Sequence, residues 1–362
     1  MPVDPESSGA DRPTIEALAD ENRRLRESLA SVMESSSWRL TKPLRRLRRS
    51  SRPESPPPPA GSTGAGIEAQ VPLGEPPSPQ PAVPQYFPPG HYYSPSVDPA
   101  EIAVEPRRSQ IWPAEPRATP GLDWRENEQI ALCRDVFAQQ RRLEFREEVT
   151  DTPAEYYAQN GQYPPLDAWV LEAVLRWLNP KRMIEVGSGF SSLVTARVNR
   201  ELLQSALQFT CIEPYPRQFL LDGVPGISEL VVAKVQDVPL GQFAKLSRGD
   251  ILFIDTSHTV KTGGDVTWIY HEILPRLAPG VMVHIHDAFL PGDYPQAWVL
   301  EGWGWNEAYL LRSFLTFNSE FEIVFGVRYM ADLQPDVLSE AFPDWLTTTA
   351  QGGAALWIRR RG

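Results

Sequence analysis

The second half of the chain alternates short apolar runs with longer amphipathic segments. One helix is predicted to open at Asp167, with apolar residues three and four positions apart, and to end at Asn179. The apolar runs after it are predicted strands: Met183–Val186, Phe209–Ile212, Leu230–Ala233, Ile251–Ile254 and Val281–Ile285. Since helical segments separate these strands, we expect crossover connections on a buried parallel sheet. Two final runs, Phe321–Phe325 and Ala354–Ile358, lack a regular crossover and are expected to pair antiparallel at one side.

The first part of the chain has a different pattern. Apolar residues and one Asn recur at intervals of three and four from Ile15 to Val32, which predicts a coiled coil and a homodimer through residues 14–34. A short helix without a partner is the alternative. Seven basic and no acidic residues follow over 39–52, which suits either an anionic membrane surface or plain solvation.

Proline sets the domain boundaries, because 19 of the 37 prolines fall within residues 51–120. A segment this rich in proline favours an extended, solvated chain over a packed core. We therefore divide the protein into a coiled-coil and basic segment (1–50), a Pro-rich disordered linker (51–83), the N-terminal arm of the catalytic domain (84–150) and the main domain (151–362).

Composition narrows the class of protein. The formal charge of −11 argues against a dedicated nucleic-acid binder, whose domain would be basic. The two cysteines, Cys133 and Cys211, are too few and too far apart for a disulfide framework or a four-cysteine zinc site. No apolar run reaches the roughly 18 residues that span a bilayer, and no signal pattern opens the sequence. We expect a cytoplasmic protein, at most peripheral to a membrane.

Glycines mark the end of the first predicted strand. At Gly187 and Gly189 the strand turns into a helix, so the backbone can approach a ligand where a side chain would collide. Ser192 replaces the third glycine of a dinucleotide fingerprint, which argues against NAD. Glu213 follows the second strand, where a carboxylate can bind ribose hydroxyls, and Asp237 follows the third, toward an adenine edge. A solvated acid at a strand end is the alternative for each.

Polar residues also end the fourth and fifth strands. Asp255 and His258 follow one strand, and His286 and Asp287 follow the other, so both groups should meet at the carboxyl edge of a parallel sheet. A hydroxyl becomes a good nucleophile when its proton is removed, and a histidine with a pKa near 6.5 can take that proton at neutral pH. His258 is therefore a candidate base, with a loop-capping histidine as the alternative. His284 lies within its strand and is expected in the core.

These segments together resemble a known family. The strings MIEVGSGFSS, CIEPYP, DILFIDTSHTVKTGGDV and VHIHDAFLPGDYP resemble the class I S-adenosylmethionine-dependent methyltransferases, in a bacterial branch with a predicted methyltransferase domain, over roughly residues 84–327. The resemblance implies a doubly wound, mostly parallel seven-stranded α/β sheet with a reversed final strand. It also implies methyl transfer from S-adenosylmethionine. The residues predicted to bind this cofactor are Glu185, Gly187, Ser188, Gly189, Glu213 and Asp237. A side chain at Gly187 is expected to fill cofactor space and leave the fold intact.

The catalytic edge resembles a narrower group. The spacing of Asp255 and His258 is similar to that of small-molecule and sugar O-methyltransferases that use a divalent metal. This resemblance implies that Asp255, His286 and Asp287 hold Mg, Mn or Fe and that His258 is the general base. The histidine at 286 departs from the acid or amide usual at that position.

The sequence is compatible with three functions. The first is O-methylation of a glycan or glycosylated small-molecule acceptor. The aromatic loops Phe289–Pro295 and Trp303–Glu307 suit sugar rings or planar acceptors. They could equally pack against the edge of the sheet. Residues 36–45 also resemble a segment attached to many bacterial glycosyltransferases and surface-polysaccharide proteins. The second is a non-catalytic, cofactor-binding scaffold for surface-polysaccharide enzymes. The third is an iron oxygenase built on Asp255, His286 and Asp287.

Overall fold

The structure, a computed structural model, describes residues 86–149, 154–346 and 352–362. The predicted coiled coil at 14–34, the basic segment at 39–52 and the Pro-rich linker at 51–83 lie outside the described residues. Among the helices that are described, none has the length and apolar character needed to cross a membrane.

Seven strands form one mixed sheet. They are β1 (Arg182–Val186), β2 (Gln208–Ile212), β3 (Glu229–Val231), β4 (Ile251–Ile254), β5 (Met282–Ile285), β6 (Phe321–Gly326) and β7 (Leu356–Arg360). Across the sheet their order is β3-β2-β1-β4-β5-β7-β6. Strands β1 to β5 run parallel, and β7 runs antiparallel to both β5 and β6. The predicted doubly wound, mostly parallel sheet with a reversed final strand is confirmed.

Helices precede, connect and follow the strands. They are α1 (Pro99–Ile102), α2 (Arg107–Ile111), α3 (Glu126–Ala131), α4 (Pro165–Leu178), α5 (Phe190–Leu202), α6 (Gln218–Leu221), α7 (Leu240–Phe243), α8 (Asp265–Trp268), α9 (Gln296–Glu301), α10 (Glu307–Leu315), α11 (Val327–Leu333) and α12 (Pro335–Ala341). Both α3 and α8 continue into a π-helical turn and then a 3₁₀ turn. Helix α5 links β1 to β2, as the predicted crossover requires.

Helix α4 begins two residues earlier than predicted, at Pro165, because proline suits the first helical turn. Asp167 does not cap the helix. Its buried carboxylate instead accepts hydrogen bonds from the backbone N–H groups of Ala354 (3.1 Å) and Ala355 (3.3 Å). Strand β7 consequently starts at Leu356 and not at Ala354. The far end of α4 agrees with the prediction, since Asn179 adopts a left-handed conformation with φ of 46°.

The two central strands β4 and β5 are buried along their whole length. His284 of β5 stacks on Phe253 of β4, with ring centroids 3.8 Å apart, and meets Trp357 of β7 edge-on at 4.6 Å. Burial holds the pKa of this imidazole well below its usual value, so the ring is neutral. His284 therefore belongs to the core.

Backbone hydrogen bonds align the strand ends at the carboxyl edge of the sheet. Gly187 N–H donates to Ile212 C=O (2.9 Å), and Asp255 N–H donates to Val186 C=O (2.9 Å). The N–H of His286 donates to Ile254 C=O at the same distance. The loops that leave β1, β4 and β5 consequently start side by side.

Candidate active site

The turn after β1 is held tightly against the end of β4. Gly187 has φ of +84°, and a Cβ atom at this position would lie 1.5 Å from the backbone oxygen of Asp255. Only glycine fits such an approach without displacing one of the two segments. Gly189 differs, because its φ is −164° and a Cβ atom there would meet nothing within 4 Å. The two glycines thus have separate roles.

Glu185 lies beneath this turn and not in front of it. The side chain is fully buried, and its carboxylate accepts hydrogen bonds from the hydroxyls of Ser191 (2.6 Å) and Ser192 (2.5 Å) at the start of α5. Ser192 also accepts the N–H of Gly189 at 3.0 Å. Burial raises the pKa of Glu185 to about 7, although the serine hydroxyls oppose the change. Glu185, which the resemblance predicts to bind cofactor, braces the start of α5 behind the glycine turn in the structure.

A cavity of about 460 Å³ opens beside the turn, within the range of small-molecule sites. Glu213 lines it and is fixed by two backbone N–H groups, from Ser188 (3.1 Å) and Tyr215 (2.8 Å). Burial raises the pKa of this carboxyl, and the two N–H groups oppose the rise. Gly187 and Asp255 line the same cavity.

Asp237, predicted to approach an adenine edge, lies outside the cavity lining. Asp237 is exposed and is not among the described residues that line the cavity, because it closes a 3₁₀ turn (Val235–Asp237) that points it outward. Gln236, its neighbour, lines the cavity and donates its side-chain N–H to the carbonyl of Gly263 (2.9 Å). Lys261 lines the cavity as well and was not anticipated.

His258 stands among three carboxylates at the edge of this cavity. Its Nε2 lies 3.2 Å from Oδ1 of Asp255 and 3.8 Å from Oδ2 of Asp287, and its Nδ1 lies 3.1 Å from Oε2 of Glu307. The ring is 4% exposed. Both His258 and Asp287 have positive φ values, of 51° and 48°. Such left-handed backbone is uncommon outside glycine and tends to cluster at functional sites.

The carboxylates determine the charge of the imidazole. Burial by itself lowers the pKa of His258, but hydrogen bonds to Asp255 and Glu307 and their negative charges raise it to about 10. The ring is therefore an imidazolium at neutral pH. Asp255 responds in the opposite sense, because His286 and His258 hold its pKa below the usual value against the effect of burial. The pKa of Asp287 is raised, since burial outweighs the two neighbouring imidazoles.

Glu307 is a site residue that sequence reasoning missed. It opens α10, and its side chain is buried. The backbone N–H groups of Asn306 and Glu307 both donate to the carbonyl of His258, at 2.9 and 3.1 Å. The Oδ1 atom of Asn306, the residue before α10, accepts the N–H of Val260 at 2.6 Å. The start of α10 therefore holds the His258 loop through backbone and side chain together.

The residues predicted to bind a metal do not fit one. The imidazole of His258 stands between the carboxylates of Asp255 and Asp287, where an ion would need to sit. His286 is buried against Tyr163, with its Nδ1 3.9 Å from Oδ2 of Asp167 and its Nε2 3.6 Å from Oδ1 of Asp287, so it neighbours one of the two carboxylates. Within the described ranges, no group of three or more His, Cys, Asp or Glu side chains is arranged to hold an ion.

A family model described as "Methyltransferase domain" matches residues 184–288. An uncharacterized protein of Archaeoglobus fulgidus is 32% identical over 173 residues, which cover 46% of this chain and 76% of the relative.

Solved structures with some likeness include two O-methyltransferases. TomG of Streptomyces achromogenes is 17% identical, with a TM-score of 0.34 over 53% of this chain and 78% of its own. The O-methyltransferase of Bacillus cereus is 13% identical, with a TM-score of 0.33 over 56% and 82%. The matched family model and the strand order identify residues 184–288 as a methyltransferase domain on a class I, S-adenosylmethionine-dependent methyltransferase fold.

Proposed function

We propose that this enzyme methylates a hydroxyl group of a small-molecule or glycan acceptor. The observation that carries the proposal is the cluster formed by His258 with Asp255, Asp287 and Glu307, which adjoins the cavity through Asp255. A hydroxyl must lose its proton as it attacks, so a proton acceptor next to the cofactor is what O-methylation needs.

Cofactor binding is assigned to the cavity beside the glycine turn. Glu213 presents a carboxylate held by two N–H groups, which suits the two hydroxyls of a ribose. Gly187 allows the backbone to close against β4 without a side chain in between. When bound here, S-adenosylmethionine supplies a methyl group activated by its sulfonium.

The proton-accepting group is the cluster as a whole. Because His258 already carries a proton at neutral pH, it orients and partly neutralises the carboxylates around it. Asp287 lies on the Nε2 side, and its raised pKa makes it a better proton acceptor than an ordinary aspartate. Asp287 would take the proton of the acceptor hydroxyl as its oxygen bonds to the methyl carbon, and the methyl–sulfur bond of the cofactor would break with its electron pair left on sulfur. The role predicted for His258 alone is thereby shared between His258 and Asp287.

The test separates binding from chemistry. Asp287→Asn and His258→Ala should keep S-adenosylmethionine affinity by calorimetry and lose about 10²–10⁴-fold in turnover, the range for removal of general base catalysis. Turnover is measured with labelled cofactor against a panel of sugar and phenolic alcohols. Asp237→Asn, at the exposed position outside the cavity lining, is the control and should change neither quantity.

The pH profile distinguishes the two base assignments. A neutral His258 with an ordinary pKa would give a rate that rises through about pH 6.5, whereas a His258 whose pKa is about 10 gives no rise from the imidazole between pH 6 and 9. If both variants methylate at the parental rate across this range, the cluster is structural and the proposal fails.

A further inference from the structure

A second cavity of about 360 Å³ lies beyond His258, between the N-terminal arm and the loops around α9. Five aromatic residues line it: Tyr294, Trp298, Trp303, Trp305 and Tyr309. Prolines of the arm segment 89–99 form the opposite side. We call this cavity the aromatic groove.

The aromatic groove adjoins the proposed catalytic cluster through one short segment. The ring of Trp305, which lines the groove, lies 4.3 Å from the ring of His258. Asn306 also lines the groove, and its side chain holds the loop after His258 by accepting the N–H of Val260. A molecule seated in the groove would therefore lie one side chain away from the cluster.

The groove presents ring faces without charge. None of the described residues that line it has an acidic or basic side chain. Trp298 stacks on Trp303 at 4.6 Å with an interplanar angle of 9°, and Trp303 remains 45% exposed. One indole face is thus covered by a neighbour, and Trp303 still offers a large area for contact with a ligand.

Neutral hydrogen-bonding groups border these faces. The hydroxyl of Tyr309 donates to Asp293 (2.7 Å), which leaves its oxygen able to accept. Asn306 has its Oδ1 occupied by Val260 and its amide nitrogen without a partner among the described residues. An apolar ring face bordered by one neutral acceptor, the Tyr309 oxygen, and one neutral donor, the Asn306 amide, matches a ring that carries several hydroxyls better than a phenol, which carries one or two.

We propose that the aromatic groove binds an uncharged hexopyranose ring of the acceptor, with a C–H face of the sugar against Trp303. This inference rests on the proposed function, since it names the acceptor of the same reaction. Acidic sugars are disfavoured because the lining holds no cation to pair with them.

The test measures sugar binding directly on the full-length protein. The probes are the methyl glycosides of glucose, galactose and mannose, with methyl glucuronide as the charged counterpart and catechol as the planar one. Binding is followed by saturation-transfer NMR and calorimetry. At least one neutral glycoside should bind more tightly than methyl glucuronide and catechol.

Variants locate the site. Trp303→Ala should weaken binding of that glycoside about tenfold or more, and Trp303→Phe should retain most of it because a ring face remains. Phe317→Ala, at an aromatic residue 88% exposed outside the groove, should bind as the parent does. The inference is overturned if no neutral glycoside binds, if glucuronide or catechol binds as well or better, or if Trp303→Ala binds normally. Calorimetry with S-adenosylmethionine on the same samples shows separately whether the cofactor site is intact.

Discussion

Replacing Gly187 with alanine should destabilise the fold as well as the cofactor site. The added Cβ would lie 1.5 Å from the backbone oxygen of Asp255 and 2.6 Å from its carbonyl carbon, whereas ordinary contacts begin at 3.4 Å. One of the two segments must therefore move by about 2 Å. That movement strains the hydrogen bond from Asp255 N–H to Val186 C=O and displaces the carboxylate that contacts His258.

Two costs add up at this position. Holding alanine at a φ of +84° costs roughly 1–2 kcal/mol, and forcing an extra methyl group into a packed contact costs roughly 1–3 kcal/mol. A total of about 2–5 kcal/mol corresponds to a fall in melting temperature on the order of 10 °C for a domain of this size.

The assay is thermal unfolding of parent and variant by circular dichroism, with S-adenosylmethionine affinity measured alongside. Gly189→Ala is the matched control, since its Cβ meets nothing within 4 Å and its φ is accessible to any residue. It should unfold at nearly the parental temperature. If Gly187→Ala keeps the parental melting temperature and loses only cofactor affinity, the packing argument is wrong and the purely cofactor-based expectation from the sequence is right.

Two further predictions concern stability and assembly. Because burial raises the pKa of Glu185 from 4.5 to about 7, its ionisation destabilises the folded state as pH rises through that interval, by about 3 kcal/mol in full. The Glu185→Gln variant should therefore exceed the parent in free energy of unfolding, measured in urea, by more at pH 8 than at pH 5. An equal difference between variant and parent at both pH values would contradict this. Glu229→Gln, at an exposed position, is the control. Deleting residues 1–50 should lower the oligomeric mass by light scattering and weaken salt-sensitive binding to anionic vesicles, and unchanged values for both would remove the predicted roles of 14–34 and 39–52.

Much of the fold follows from local patterns in the sequence. A buried strand needs a short apolar run, and a crossover needs a helical segment of sufficient length, so periodicity places each strand to within a few residues. Topology then explains why Asp255, His258 and Asp287 lie together: parallel strands deliver their ends to one edge, and the structure brings these side chains within 4 Å.

The direction of individual side chains was decided by packing. Glu185 belongs to the same motif as Gly187, but its carboxylate turns inward to the serines that open α5. Asp167 resembles a helix cap, but it binds backbone N–H groups almost 190 residues away. A local pattern does not specify where a buried polar side chain finds its hydrogen-bond partner, because that partner comes from elsewhere in the chain.

The charge of the cluster around His258 also depended on tertiary structure. The sequence predicted an ordinary pKa for His258 and a metal ion beside it. The structure adds Glu307, 49 residues further along the chain, as a third carboxylate, which makes the ring a stable imidazolium and places it between Asp255 and Asp287. The aromatic groove arises in the same way, from an arm and a loop about 200 residues apart. Sequence fixes which residues are present at the strand ends, but burial and the distances between charges, which set pKa values, exist only once distant segments have packed together.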